Sequence, residues 1–468
     1  MSTTSTDPLS VRQRIVGIDQ QVPVLDGSLR PYINFDNAAS TPTLQDVLDT
    51  VSEFMHWYSS VHRGTGFKSK VATQAYDDAR RIVADFVGAN QKDHIVIFGK
   101  NTTDAINKLS YRLPLKKDDV VLVSLLEHHS NDLPWRAQAH VEHIKADELG
   151  RLDVADLDRL LEVYRGRVKL VAITGASNVT GHLPDIHAIA KKAHAAGAEI
   201  LIDCAQLAPH RRVTMGDLSD PAHLDYISIS AHKMYAPFGT GALIGRKDTF
   251  EKGEPEYRGG GTIEIVTVDN VEWAGAPDRD EAGSPNVAGA VALAAAIKAL
   301  NDIGMDVIAE HEAELTAYAL EQLKPIEQLE IYGETDVATV RNRLGVIPLN
   351  VTGLSHFLVA TILGAEYGIG VRNGCFCAHP YLLHLMRLSP EESDRVRHDI
   401  LSNNRHDMPG LVRISFGMYN TAAEVDVVVQ ALRDIAQDKY AGQYGQDVKS
   451  GEYHAVNWQP DLAQYFKL

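Results

Sequence analysis

The sequence has 468 residues, 44% of them apolar and 23% charged, a globular composition that excludes a mostly disordered, collagen-like or fibrous chain. Its 45 basic and 62 acidic residues leave a formal charge of −17, which disfavours nucleic acid or a polybasic membrane footprint as a partner. Three cysteines, Cys204, Cys375 and Cys377, are too few for a disulfide framework and point to a reducing compartment.

Residues 1–20 lack the apolar core of a signal peptide. The longest apolar run, 287–297, stops at Lys298, well short of a bilayer span. The expectation is a soluble, cytoplasmic protein. A segment over 1–30 is expected to pack with a smaller domain further along the chain. Short, β-branched, nearly continuous apolar runs at 94–98, 120–125, 170–174, 199–203 and 226–230 read as strands buried on both faces. Helix-like stretches at 103–110, 153–164 and 185–196 lie between them. This alternation predicts an α/β architecture around a mainly parallel sheet, in a large domain over 31–301. The Ala-rich stretch 285–300 closes that domain as a buried helix. A smaller α+β domain follows over 302–440, with helices at 306–323 and near 422–437. Residues 388–410, polar and carrying Pro390 and Pro409, read as an irregular insertion or lid. Residues 441–468 read as an extension that wraps the surface or a partner subunit.

In such a sheet the functional groups gather at the carboxyl ends of the strands. The first strand runs into Asn101-Thr102-Thr103-Asp104 at a helix start, where free N–H groups and hydroxyls suit a phosphate; a plain N-cap accounts for the same residues. The second runs into Glu127-His128-His129-Ser130, the third toward Asn178, the fourth into Asp203 and Gln206, and the fifth into Ser230-Ala231-His232-Lys233. A carboxylate and an amine ending buried strands are costly without a task. A buried salt bridge is one such task. An aldehyde cofactor is the other, and it explains more of these residues. Lysine binds the aldehyde as a Schiff base, aspartate holds a pyridinium nitrogen, and a helix N-terminus holds phosphate: these are a protein's duties toward pyridoxal phosphate.

The stretch Arg372-Asn373-Gly374-Cys375-Phe376-Cys377-Ala378-His379 offers two thiols on a loop. A thiolate beside positive charge is a nucleophile. Cys375, Cys377 and His379 are alternatively the ligands of a small metal clip, which would make the chain a metal-binding or interaction protein. Arg413, in a strand pattern, would grip a carboxylate in a bidentate way or sit in a surface ion pair.

In order along the chain, Asn34-Phe35-Asp36-Asn37-Ala38-Ala39-Ser40, Val61-His62-Arg63-Gly64, Asn101-Thr102-Thr103-Asp104, Glu127-His128-His129-Ser130-Asn131, Ser177-Asn178, Asp203-Cys204-Ala205-Gln206, Ser230-Ala231-His232-Lys233, Gly283-Ser284-Pro285-Asn286 and Arg413-Ile414-Ser415 resemble the class V aminotransferase family of fold-type I pyridoxal-phosphate enzymes. The resemblance is strongest to its cysteine desulfurase and selenocysteine lyase branch. It implies a seven-stranded, mainly parallel sheet and a homodimer. Lys233 would carry the cofactor and move the substrate's α-proton. His128 would stack on the cofactor ring, Asp203 would hold its nitrogen, and Gln206 would contact its phenolic oxygen. Thr102, Thr103, Ser230 and His232 would hold the phosphate, with Ser284 reaching it from the neighbouring subunit. Asn178 and Arg413 would position the substrate carboxylate, with Arg372 nearby, and His62 and Arg63 would approach across the dimer. Cys377 aligns with the desulfurase nucleophile. It would take sulfur from L-cysteine as a persulfide, leaving alanine and passing sulfur to an acceptor protein. β-Elimination at a C–S bond, epimerisation and transamination are the alternatives within the family. Cys204 stands where a small Gly is more usual. Cys375 before Cys377, with Val412-Arg413-Ile414-Ser415-Phe416-Gly417, resembles the desulfurase domain of molybdenum cofactor sulfurases.

Overall fold

The computed structural model describes residues 8–62 and 64–468. Seven strands form the main sheet: β1 (His94–Gly99), β2 (Val120–Ser124), β3 (His140–Ile144), β4 (Val168–Thr174), β5 (Glu199–Asp203), β6 (Tyr226–Ser230) and β7 (Gly241–Arg246). Their order is β1-β7-β6-β5-β4-β2-β3. Within it β7 runs antiparallel to β1 and β6, and the remaining pairs are parallel, as the sequence leads one to expect. Successive strand residues point to opposite faces. On one face Val121, Val123, Leu170, Leu201 and Leu243 pack under Leu109 and Trp135. On the other, Leu122, Ile173, Ile202 and Ile229 join the helix Val287–Ile303 in a larger core. Both faces are covered, so the strands read as continuous apolar runs rather than alternating ones.

Helix Val287–Ile303 ends at Gly304, whose φ of 98° turns the chain into helix Met305–Leu323. A second sheet follows: β8 (Leu329–Ile331), β9 (Val346–Val351), β10 (Arg372–Gly374) and β11 (Leu411–Ser415), antiparallel in the order β8-β9-β11-β10. Its core takes Ile347, Leu349, Val412 and Ile414 against helices Met305–Leu323, His356–Tyr367 and Ala422–Ala436. We propose that the two domains meet at the Gly304 corner, close to the boundary expected at residue 302. The early chain reaches the second sheet's side: Leu25 N–H donates to Ala365 O at 2.7 Å, and Arg12 pairs with Glu424 at 2.8 Å. Residues 1–7 lie outside the described residues.

The stretch 388–410 departs from the expected irregular insertion. Pro390–Leu401 is a helix, started by a capping box in which Ser389 and Glu392 exchange hydrogen bonds. None of its residues is buried, so it carries no apolar stripe by which to announce itself. The tail forms a hairpin, Tyr444–Gln446 with Tyr453–Ala455, fastened to helix His356–Tyr367 by Tyr444 Oη–H to Glu366 Oε1 at 2.7 Å. Among the described residues no single helix is long and apolar enough to cross a membrane.

Glu312 ties the two sheets together. Its buried carboxylate accepts Arg211 Nη1 at 2.5 Å and His210 Nδ1 at 3.1 Å from the segment after β5, and Gly345 N–H at 2.9 Å from the approach to β9. These partners hold its pKa down to about 2 despite burial, which opposes them. Its folded pKa lies below the unfolded value near 4.5, so the stabilisation is complete above that pH and is lost as pH falls toward 2. Glu312→Ala, which strands Arg211 and His210 near a buried surface, should cost about 3–5 kcal/mol in urea unfolding at neutral pH. That loss should shrink as the pH is lowered through this window. An unchanged unfolding midpoint would deny the carboxylate its joining role.

Candidate active site

The polar residues following β1, β2, β4, β5 and β6 converge on one cavity of about 220 Å³. After β1, Asn101 caps helix Thr102–Arg112 by accepting Asp104 N–H at 2.9 Å. This turn presses on β7 so closely that a Cβ at Gly241 would sit 2.6 Å from Asn101 Cα. Thr103 Oγ1 meets Ser130 Oγ at 2.7 Å. The Thr102 and Ser230 hydroxyls are buried without a hydrogen-bond partner. Buried donors are normally satisfied, so two such hydroxyls beside a helix start mark a place for an anion.

Asp203 ends β5 fully within the core; its Oδ1 accepts Ala205 N–H at 2.9 Å, and burial raises its pKa against the pull of Lys233. Lys233 follows β6 in a short 3₁₀ turn, and burial lowers its amine to about 8 while Asp203 opposes the shift. His128 accepts Ser130 N–H through Nδ1 at 3.1 Å, and burial, aided by Lys233, brings its pKa down to about 4. It is therefore a neutral ring at physiological pH, able to lie against another ring without a charge penalty. His232 is likewise lowered to about 4 by burial. Gln206 donates to Ala38 O at 2.7 Å, which fixes its amide at the cavity wall. Below these, Glu127 accepts Thr174 N–H at 2.7 Å and Asn131 Nδ2 at 2.7 Å, and bonds Ser124 Oγ; burial lifts it to about 8.

The cysteine loop closes the cavity from the second sheet. Phe376 and Cys377 both have positive φ, 54° and 55°, a conformation L-residues rarely adopt. Two hydrogen bonds hold them there: Asn178 Nδ2 to Phe376 O at 2.8 Å, and His129 N–H to Cys377 O at 2.8 Å. The exposed Cys377 thiol lies on the cavity wall with Lys233 and Arg413. Arg413 is buried on β11, its guanidinium 4.7 Å from the centre of the Phe376 ring. It donates to Asn178 O at 2.9 Å and to Asp36 Oδ1 at 3.1 Å. Arg372, on β10 and mostly exposed, approaches Asp36 at 3.8 Å.

Thr102, Thr103, His128, Asn178, Asp203, Gln206, Ser230, His232, Lys233, Arg372, Cys377 and Arg413 thus all line one cavity. Ser284 does not. It is exposed and lines a second cavity of about 400 Å³ with His62, Tyr58 and Gly261. Arg63 lies outside the described residues. Among the described residues Cys375, Cys377 and His379 do not gather three ligand atoms at one point; His379 instead stacks on His129 at 5.1 Å. His194, His223 and Asp225 do gather, but the two rings stack at 4.1 Å and 18°, so their nitrogen lone pairs lie in near-parallel planes rather than converging. Asp36, Phe376 and Glu127 shape the site without having been given a role from the sequence. A half-buried charge such as Asp36 just after a strand is the signal that was open to reading.

The residues fit pyridoxal phosphate. Two unpartnered hydroxyls suit its phosphate, an amine of lowered pKa suits its aldehyde, and a buried carboxylate suits its ring nitrogen. A family model described as Aminotransferase class-V matches residues 33–428. A cysteine desulfurase of Haloferax volcanii is 33% identical over 441 residues, covering 92% of this chain and 96% of the relative. A probable cysteine desulfurase of Streptomyces coelicolor is 34% identical over 442 residues, covering 92% and 97%. Among solved structures, the apo cysteine desulfurase of Thermococcus onnurineus NA1 matches with a TM-score of 0.79 at 31% identity, over 94% of this chain and 100% of that one. The Escherichia coli cysteine desulfurase CsdA, with an S-sulfonic acid, matches with a TM-score of 0.75 at 28% identity, over 93% and 99%.

Ser230→Ala removes a buried hydroxyl that has no partner in the protein. It should weaken pyridoxal phosphate binding about tenfold, the size of one lost charge-assisted hydrogen bond. The unfolding midpoint of the cofactor-free protein should not fall. Fluorescence titration and urea unfolding separate the two effects, and a lower midpoint with unchanged affinity would make the hydroxyl structural.

Proposed function

The chain belongs to the class V aminotransferase family of fold-type I, pyridoxal-phosphate-dependent enzymes, and we propose that within it the protein is a cysteine desulfurase. It converts L-cysteine to L-alanine and keeps the sulfur on Cys377. The observation that carries this reading is the placement of the exposed Cys377 thiol on the wall of the cavity that holds Lys233 and Arg413.

When bound, pyridoxal phosphate supplies an electron sink in conjugation with the substrate's α-carbon. Thr102, Thr103, Ser230 and His232 would hold the phosphate end, and Asp203 would keep the ring nitrogen protonated. His128, neutral because of burial, would cover the ring face, and Gln206 would contact the phenolic oxygen. Arg413 and Asn178 hold the substrate's α-carboxylate, which directs the side chain toward the cysteine loop. Lys233, with its amine lowered to about 8, holds and returns the proton at the α-carbon near neutral pH. Cys377 attacks the substrate sulfur as a thiolate. The S–S bond forms as the Cβ–S bond breaks and leaves its electron pair on Cβ; Cβ takes a proton, and the α-proton returned by Lys233 completes alanine. A reductant or the thiol of an acceptor protein then takes the outer sulfur from Cys377.

The working unit is a homodimer in the cytoplasm. His62 and Ser284 sit apart from this chain's own cavity. The segments that line their cavity, or adjoin it in the chain, expose Tyr58, Phe67, Tyr257 and Val266. Such a face suits a second copy whose cavity His62 and Ser284 complete. Selenocysteine is the alternative substrate, since its chalcogen presents itself to the same thiol.

Wild type and Cys377→Ala, each shown to hold the cofactor, should be given L-cysteine with a reductant while alanine, pyruvate and sulfide are quantified. Equal amounts of alanine and sulfide from wild type, and a loss of at least about a hundredfold in the variant, are expected. Pyruvate with sulfide, or equal rates in both proteins, would move the enzyme to the elimination branch.

A further inference from the structure

Asp36 stands at the carboxylate end of the site. It follows the short strand Ile33–Asn34, and its backbone bridges to Ser415 at the end of β11. Its Oδ1 accepts Arg413 Nη2 at 3.1 Å, while its Oδ2 lies 3.8 Å from Arg372 Nη1. The other terminal nitrogen of Arg413 donates to the main-chain oxygen of Asn178 at 2.9 Å, and the Phe376 ring flanks the guanidinium. Each terminal nitrogen of Arg413 thus has one acceptor in the protein, while its buried Nε has none.

A bidentate contact needs two N–H groups of one guanidinium edge. Nε is buried away from the cavity, so a substrate carboxylate must use the two terminal nitrogens, where it meets the like charge of Asp36 on one and the Asn178 oxygen on the other. The Asn178 oxygen is main chain in a fully buried segment and is fixed. Asp36 is a side chain, about a fifth exposed, with a second guanidinium within reach. Arg372 is 57% exposed and free to follow it. Without Asp36, Arg413 is a buried cation with no carboxylate beside it, which is costly until a ligand arrives.

We propose that Asp36 is a positioning residue, an internal carboxylate that holds Arg413 before substrate binds and turns to Arg372 when the amino acid's own carboxylate takes its place. The exchange sets the affinity for amino acids. It also leaves a negative charge at the rim, which repels ligands with a second carboxylate. This inference rests on the reading of Arg413 as the carboxylate site.

L-Alanine, which carries the carboxylate but no sulfur, is the probe. Its binding to the holoenzyme is followed through cofactor absorbance, beside L-aspartate as the dicarboxylate. Asp36→Asn keeps an oxygen for Arg413 but removes the competing charge, so L-alanine should bind about tenfold tighter and L-aspartate gain more. The KM for L-cysteine should fall while kcat stays within about twofold, because Asp36 touches no reacting atom. Asp36→Glu should return the wild-type affinity. Arg372→Gln should weaken L-alanine binding when Asp36 is present and leave it unchanged beside Asp36→Asn. Unchanged or weaker binding in Asp36→Asn overturns the inference. So does an equal loss from Arg372→Gln in both backgrounds, which would make Arg372 a direct ligand. If Asp36→Asn does not fold, the exposed Arg372→Gln decides alone, and unchanged L-alanine affinity overturns the exchange. Arg413→Ala keeps the two readings apart. If it leaves L-alanine binding intact, the carboxylate site itself is wrong and the inference falls with it. If it abolishes binding while Asp36→Asn fails to tighten it, only the exchange is wrong.

Discussion

The site depends on how the cysteine loop is held. Phe376 and Cys377 take left-handed backbone angles that cost on the order of 1–3 kcal/mol each. Their carbonyls are caught by Asn178 and His129, both from loops that follow strands of the main sheet. The buried Phe376 ring, packed along the Arg413 guanidinium, adds apolar contact. The thiol is thereby presented by one sheet to a cavity built by the other. Neither sheet makes the site alone, which is why the Glu312 joint matters to chemistry some distance away.

Charge inside the cavity follows one plan. Lys233, Arg413 and Arg372 supply cations, and His128 and His232 stay neutral through burial. Asp203 and Asp36 are the nearby carboxylates, each held at one end. A phosphate and a carboxylate are the two anions such a field favours within one small space. The protein's overall charge of −17 gives no hint of this local excess.

Much of this is legible in the sequence. The five expected strands are all present, because strands buried on both faces leave uninterrupted β-branched runs. The polar residue after each run marks the cavity, since Asp203 and Lys233 have no inexpensive place in an apolar sheet. β3 and β7 leave no such signal: β3 is a half-exposed edge, and β7 is punctuated by Gly241 and Gly245. The helix Pro390–Leu401 escapes a reading by pattern because its cap signature, Ser389 to Glu392, precedes no apolar stripe. The pairing of Asp36 with Arg413 is a contact across the whole chain that no local pattern records.

A cysteine desulfurase built in this way would take the substrate's sulfur on one particular thiol. Holoenzyme treated with L-cysteine in the absence of reductant, then alkylated and digested, allows the peptide carrying Cys375 and Cys377 to be sequenced by mass spectrometry. One added sulfur atom on Cys377 and none on Cys375 is the expected result. Sulfur on Cys375 alone, or an unmodified peptide from protein that has released alanine, would contradict it.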